Sequence, residues 1–302
     1  MTGARKDEDS LMYSPQPRRR EHALKVVMSF GISLLLALAT IAHAASAPAN
    51  APIKLWRLDC GEIQVDDLNE YSDTFAYPGQ SKRFTVSCYL IQHGTSYMLW
   101  DTGLSQEDLG RPLQGANATG ETLAKLLPEQ LKQIGVDPKQ IEVVGISHYH
   151  YDHMGQAQLF PQAKLLLGKG DAQVLRTPNN PRAKPLAHWI NGNGKIEEVG
   201  GDKDVFGDRS VVMLDLPGHT PGHHGLLVKL ARTGYVMLSG DAAHFRENYM
   251  YDGVPTFNFD RAQTLASLER FKAIEKNLRA TVIIQHEQSD LKKLPMFPAF
   301  AE

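Results

Sequence analysis

The sequence is poor in cysteine, with two in 302 residues. Neither Cys60 nor Cys88 has a second cysteine or a close histidine at metal-ligand spacing, which argues against a thiolate metal site. In an oxidising compartment the two could pair; two buried strand thiols are the equal alternative. Aromatics are also scarce at 8%, but hydrophobic residues reach 42% against 22% charged, which excludes a disordered, collagenous or multi-span membrane chain. The folded part lacks any run of Lys and Arg. The first 44 residues hold six of the 32 basic and four of the 34 acidic residues, leaving 26 against 30 beyond them. A mildly acidic body of this kind has no electrostatic footprint for nucleic acid.

One long apolar stretch is present, Val26 to Ala42, preceded by Arg18-Arg19-Arg20 and Lys25. It is followed by Ala42-His43-Ala44 and Ala45-Ser46-Ala47, both small-x-small patterns, so residues 1–47 read as a cleaved signal peptide. Met12 would give a leader of more usual length. An uncleaved anchor is the alternative, but the stretch is short for a span and holds Ser29, Gly31 and Ser33. The expected product is a periplasmic or secreted domain, residues 48–302, with no membrane span after leader cleavage.

Along that domain, Lys54–Cys60, Phe84–Gln92, Ser96–Trp100, Ile141–Ile146, Lys164–Leu167, Val211–Leu216, Gly225–Leu230, Tyr235–Leu238 and Thr281–Ile284 read as strands. Glu121–Ile134 has helical periodicity, with Pro128 marking a break or a new start. A helix is expected near Asp171–Leu175, and Arg261–Lys276 is amphipathic through Leu265, Leu268, Phe271 and Ile274. Residues 66–82, with Tyr71, Phe75 and Tyr77, and residues 177–194, with His188 and Trp189, read as long loops. Strands in runs and then alternating with helices predict a layered α/β (α+β) body.

The chemistry concentrates after strands. Ser147-His148-Tyr149-His150-Tyr151-Asp152-His153 sets three histidines and an aspartate within six residues of a buried strand. A strand end followed by a turn can send His148 and His150 to one side and Asp152 and His153 to the other. Imidazole and carboxylate suit zinc, and also iron, cobalt or manganese. Further donors follow later strands: His219, with His223 and His224 beside it, then Asp241 and His244, then His286. A lone histidine after a strand is usually a surface or core residue. Three more donor sites in one structural position point instead to ligands gathered at a sheet rim.

These motifs resemble the metallo-β-lactamase superfamily: His-x-His-x-Asp-His at 148–153, Gly-His-Thr-Pro-Gly-His at 218–223, Gly240-Asp241-Ala242, the late His286, and the Leu99-Trp100-Asp101-Thr102-Gly103 turn. The resemblance implies an αββα sandwich with two divalent metal ions, zinc foremost. His148, His150 and His219 would hold one, Asp152, His153 and His286 the other, and Asp241 would bridge them. Asp101 is then a partner orienting a ligand histidine or simply a turn residue, and His223 and His224 are supporting or structural.

Within the superfamily, a carboxylate at Asp241 disfavours a true zinc β-lactamase, and the lack of a basic arm disfavours the tRNA-processing nucleases. Glyoxalase-II-type thioesterases usually extend well past the last histidine, whereas this chain ends soon after His286. Leu58-Asp59-Cys60-Gly61, Ser87-Cys88-Tyr89-Leu90 and Asp241-Ala242-Ala243 are most similar to N-acyl homoserine lactone lactonases. Those commonly carry a tyrosine three residues after the bridging aspartate; His244 stands there instead. The resemblance implies a hydrolase opening a small amphiphilic lactone by attack of a metal-bridging hydroxide, with Asp152, Asp241 and His244 as catalytic residues. The alternative is another two-metal esterase or phosphotriesterase on the same frame. An acyl-chain groove is expected from Tyr71, Phe75, Tyr77, Tyr151 and Trp189, and a homodimer by analogy.

Overall fold

The computed structural model describes residues 51–113 and 120–302, so the leader expected over residues 1–47 lies outside the described residues. Two long strands, β1 (Ile53–Val65) and β2 (Lys82–His93), pair antiparallel. β3 (Ser96–Trp100) pairs antiparallel with β2, and β4 (Gly120–Thr122) with β1. Beyond β3 the sheet turns parallel through β5 (Ile141–Ile146), β6 (Lys164–Gly168) and β7 (Ile196–Val199). The order is β4-β1-β2-β3-β5-β6-β7. A second sheet is formed by β8 (Lys203–Asp204), β9 (Val211–Asp215), β10 (His224–Leu230), β11 (Gly234–Leu238) and β12 (Thr281–Ile283), in the order β12-β11-β10-β9-β8.

Among the described residues six α-helices accompany them: α1 (Leu127–Gln133), α2 (Tyr151–Met154), α3 (Lys169–Leu175), α4 (Ala187–Ile190), α5 (Arg246–Tyr251) and α6 (Arg261–Leu278). Successive strand residues point to opposite faces, so each sheet has two burial problems. On β2, Tyr89 and Ile91 enter a layer between the sheets with Met213, Val228 and Val236. Phe84, Val86, Cys88 and Leu90 face the other way, toward Leu131 of α1, Leu175 of α3 and Trp189 of α4. Met237 and Leu214 leave the second sheet outward and meet Leu268 and Phe271 of α6. The result is the expected αββα sandwich. Strands covered on both faces carry almost unbroken apolar runs, which is why their limits were readable.

Some elements differ from expectation. The Glu121–Ile134 periodicity does not give one helix. Residues 120–122 form β4, and α1 starts at Leu127 with Pro128 in its first turn. Proline has no N–H to give a helix interior, but at the first turn none is needed. Residues 177–194 are not a free loop: a 3-10 segment, Pro181–Leu186, and α4 bury Ala183, Leu186, Trp189 and Ile190. Cys60 and Cys88 are joined as a disulfide linking β1 to β2, across 28 residues of sequence. Among the described residues no helix is long and apolar enough to cross a membrane.

Candidate metal centre

The C-terminal ends of β3 and β5 in one sheet, and of β9, β11 and β12 in the other, feed turns that converge at one edge. After β5 the chain runs extended through His150 (φ −73°, ψ 152°) and then winds into the single turn of α2. That change of direction separates His148 and His150 from Asp152 and His153. Two donor groups result, His148/His150/His219/Asp241 and Asp152/His153/His286, with the ligand atoms of each group within 4.8 Å of one another.

Asp241 faces both. Its Oδ2 lies 3.5 Å from His148 Nε2 and 3.5 Å from His219 Nε2; its Oδ1 lies 3.3 Å from His153 Nε2 and 3.1 Å from His286 Nε2. Asp152 Oδ2 stands 3.4 Å from His153 Nε2 and 3.5 Å from His286 Nε2. Donors bonded at about 2.1 Å to one tetrahedral ion lie about 3.4 Å apart, so these spacings fit a metal at each centre. The hydrogen-bond pattern agrees. His148 Nε2, His153 Nε2 and Asp241 Oδ1 are buried with no hydrogen-bond partner among the described residues. Buried polar atoms are normally satisfied, and a cation at each donor group would satisfy these.

The electrostatics divide the histidines. Burial holds His148 and His219 well below the usual imidazole value, and pushes His150 down to about 4. Burial also acts on His153, but Asp241, Asp152 and Asp101 outweigh it and raise the imidazole well above its ordinary value. His286 is likewise raised, burial being overcome by Asp241 and Asp152. Burial would raise Asp241; the surrounding histidines, His153 first, hold it well below the carboxylate range.

Two of the donor imidazoles, His153 and His286, are held from behind through their outer nitrogens. Asp101, at φ 58°, accepts from Ser147 N at 2.7 Å, from Ser147 Oγ at 2.9 Å and from His153 Nδ1 at 2.9 Å. A proton on His153 Nδ1 leaves the Nε2 lone pair facing the site. His286 Nδ1 donates to Thr85 O at 3.0 Å with the same effect. His223 donates from Nδ1 to Leu216 O at 3.0 Å and accepts from Asp241 N–H through Nε2 at 2.9 Å, so it supports the bridging residue's backbone. Burial pushes His223 down to about 3, matching that neutral form. His224 spans Gly222 O and Gly201 O and is structural.

A cavity of about 630 Å³ opens over the donors. Tyr71, Phe84, Tyr151 and Phe257 line one part; Ser105, Glu107, Arg182 and Lys184 give it a polar part. His244 is on its wall, with Nε2 3.2 Å from Asp241 Oδ2 and its ring packed edge-on to Tyr71. Of the aromatics expected there, Tyr71 and Tyr151 are present. Trp189 is not: it is 2% exposed in the core and donates Nε1–H to Ala163 O, because a large apolar ring on the inner face of α4 gains more from the sheet than from the rim. Phe75 stands 75% exposed outside the cavity, and Tyr77 packs on Phe245 away from it.

A family model described as "Metallo-beta-lactamase superfamily" matches residues 82–286, a span containing all seven donors. This chain belongs to the metallo-beta-lactamase superfamily. It is 28% identical over 254 residues to an N-acyl homoserine lactonase from Bacillus cereus, covering 82% of this chain and 98% of that one. It is 29% identical over 183 residues to the N-acyl homoserine lactonase AttM of Rhizobium radiobacter, covering 57% and 68%. In fold it resembles the crystal structure of a quorum-quenching N-acyl homoserine lactone lactonase, with a TM-score of 0.70 at 24% identity over 83% of this chain and 98% of the other. It also resembles AidC, described as a dizinc quorum-quenching lactonase, with a TM-score of 0.60 at 17% identity over 83% and 90%.

Superfamily membership accounts for the donors but not for every residue that supports them. Ser147, Asp171 and Phe257 went unrecognised in the sequence. Ser147 had a signal, as the residue between a buried strand and His148. Phe257 follows Gly253 and Pro255, which mark an aromatic-bearing loop like 66–82. Asp171 had none beyond its glycine neighbours.

Proposed function

We propose that this chain is a dinuclear-metal hydrolase that opens the lactone ring of N-acyl homoserine lactones. The observation that carries the reading is the Asp241 carboxylate, one oxygen turned to each donor group, at the floor of an aromatic-lined cavity. Similarity to lactonases along almost their whole length supports the substrate class. In this reading His148, His150 and His219 would hold one ion, Asp152, His153 and His286 the other, and Asp241 would reach both. Five imidazoles with two carboxylates suit zinc. Bound divalent cations supply Lewis acidity, activating water near neutral pH and polarising a carbonyl.

The chain's own residues do the rest. His244 Nε2–H donates to the lactone carbonyl oxygen as negative charge develops there. Asp152 and Asp241 both line the cavity. Asp152 Oδ1, the oxygen that does not face His153 and His286, takes the proton from the attacking water and passes it to the departing alkoxide. Tyr71, Tyr151 and Phe257 receive the acyl chain and exclude water from it. The protein acts outside the cytoplasm, a reading supported by the Cys60–Cys88 bond and by the leader-like residues 1–47.

The substrate class is tested by giving one zinc-loaded preparation a long-chain acyl homoserine lactone, an aryl ester and a phosphotriester. The reading expects the lactone to be the preferred substrate by kcat/KM. A phosphotriester or aryl ester ahead of the lactone would move the chain to another hydrolase on the same centre.

A further inference from the structure

Asp171 sits in the first turn of α3, fully buried, and belongs to neither donor group. Its carboxylate accepts three hydrogen bonds. Oδ2 accepts from Tyr149 N at 3.1 Å and from Thr220 Oγ1 at 2.9 Å, and Oδ1 accepts from Gly222 N at 2.7 Å. Tyr149 stands between His148 and His150, and Thr220 follows His219. One side chain therefore ties together the two turns that deliver three imidazoles of the same donor group.

Close backbone packing makes this reach fit. A Cβ on Gly168 would stand 1.8 Å from Gly222 O, and one on Gly170 would stand 2.5 Å from Pro221 O. A Cβ on Gly222 would meet Asp171 N at 2.5 Å. The glycines let α3 press directly against the 219–223 turn, at a distance set by main-chain atoms.

Fold stability does not account for the carboxylate. Burial pushes Asp171 up to about 7 even with its three donors in place. Those donors are neutral dipoles, and a buried charge held only by dipoles is expensive compared with an apolar side chain of similar size. What a carboxylate offers is acceptor capacity on two oxygens, enough to satisfy donors from two separate turns at once.

Resting on the metal-binding reading above, we propose that Asp171 is a positioning residue that sets His148 and His150 against His219, and thereby the affinity of that donor group for a divalent cation. Asp171 does not touch the ion; it acts through the backbone between its ligands. The group of Asp152, His153 and His286 hangs on other partners, Asp101 and Thr85 O, and is left alone.

The test is calorimetric titration of zinc into the metal-free full chain in two backgrounds. His286→Ala leaves the His148/His150/His219 group, and His148→Ala leaves the Asp152/His153/His286 group. Adding Asp171→Asn should weaken zinc binding by about 10- to 100-fold in the first background, the usual effect of losing a partner behind the ligands. In the second background it should leave binding unchanged. Thr220→Val, which removes one of the three bonds, should give a smaller loss confined to the first background, and it decides the matter alone should Asp171→Asn not fold. Equal losses in both backgrounds would show a merely structural role, and no loss in the first would refute positioning; either overturns the proposal. If the unaltered chain takes up no zinc, the metal reading itself fails and this inference falls with it, which is a separate outcome from a variant that matches its background.

Discussion

Asp101 Oδ2 lies 2.9 Å from His153 Nδ1, and the aspartate holds that position from a left-handed backbone conformation at φ 58°. Asn tolerates the same conformation, so Asp101→Asn changes the charge with little change to the turn. It should lower the affinity of the Asp152/His153/His286 group for zinc by about 10- to 100-fold. The thermal midpoint of the metal-free protein should also fall, because the amide loses the charge and one of the two oxygens that accept from Ser147 and His153. Unchanged affinity would show that Asp101 serves only its turn.

His244 should separate catalysis from metal holding. His244→Phe keeps the ring packing on Tyr71 but removes the donor. Loss of one oxyanion donor lowers kcat by about 100- to 1,000-fold. Metal content should stay at that of the unaltered chain, and His244→Tyr, which restores an O–H, should recover part of the rate. A drop in metal content in His244→Phe would make His244 a ligand instead.

The two donor groups should differ in proton release. His148, His150 and His219 are held low and already neutral near pH 7, so metal uptake there displaces no proton. His153 and His286 are raised, so in the metal-free chain they keep their protons to higher pH. A raised histidine contributes folding stability below its unfolded value of about 6.5, and that contribution is lost as pH rises through the folded value. The metal must displace those protons, so affinity at the Asp152/His153/His286 group should rise with pH while they remain bound. Calorimetry in buffers of different ionisation enthalpy, on His148→Ala and His286→Ala, reads this directly. Equal proton release in both variants would contradict the division.

The Cys60–Cys88 bond closes a loop of 28 residues between β1 and β2. Its loss should destabilise the protein by about 2 to 4 kcal/mol. Gly103 lies against Cys60, where a Cβ would stand 2.8 Å from Sγ, and Leu104 N donates to Cys60 O at 3.1 Å. The Asp101 turn thus packs on one half of the disulfide, so reduction should also weaken metal retention. Thermal melts and metal content with and without reductant would show it; no change in either would place the bond outside the site's support.

The donors were legible because they are local. Four of seven lie between His148 and His153; His219 and Asp241 follow apolar runs that end at Pro217-Gly218 and Ser239-Gly240, and His286 follows the run Thr281–Ile284. β3 and β5 match their expected limits for the same reason. The Cys60–Cys88 pairing stayed open because a cross-strand contact depends on register, which is set by the whole sheet. Trp189 was misplaced because Pro178, Asn179, Asn180 and Gly192 mark turns, while the burial of α4 between them depends on a sheet far away in sequence. β7, Ile196–Val199, escaped notice because two of its four residues are glutamates on an edge strand. Asp171 was hidden because its partners lie 22, 49 and 51 residues away.

The most direct test of the central claim is ring opening of a long-chain acyl homoserine lactone by the purified chain, with metal counted on the same sample and Asp241→Asn in parallel. Hydrolysis with about two metal ions per chain is expected, with loss of both hydrolysis and metal in Asp241→Asn. A folded sample that opens the lactone without bound metal, or that binds no metal at all, would contradict it.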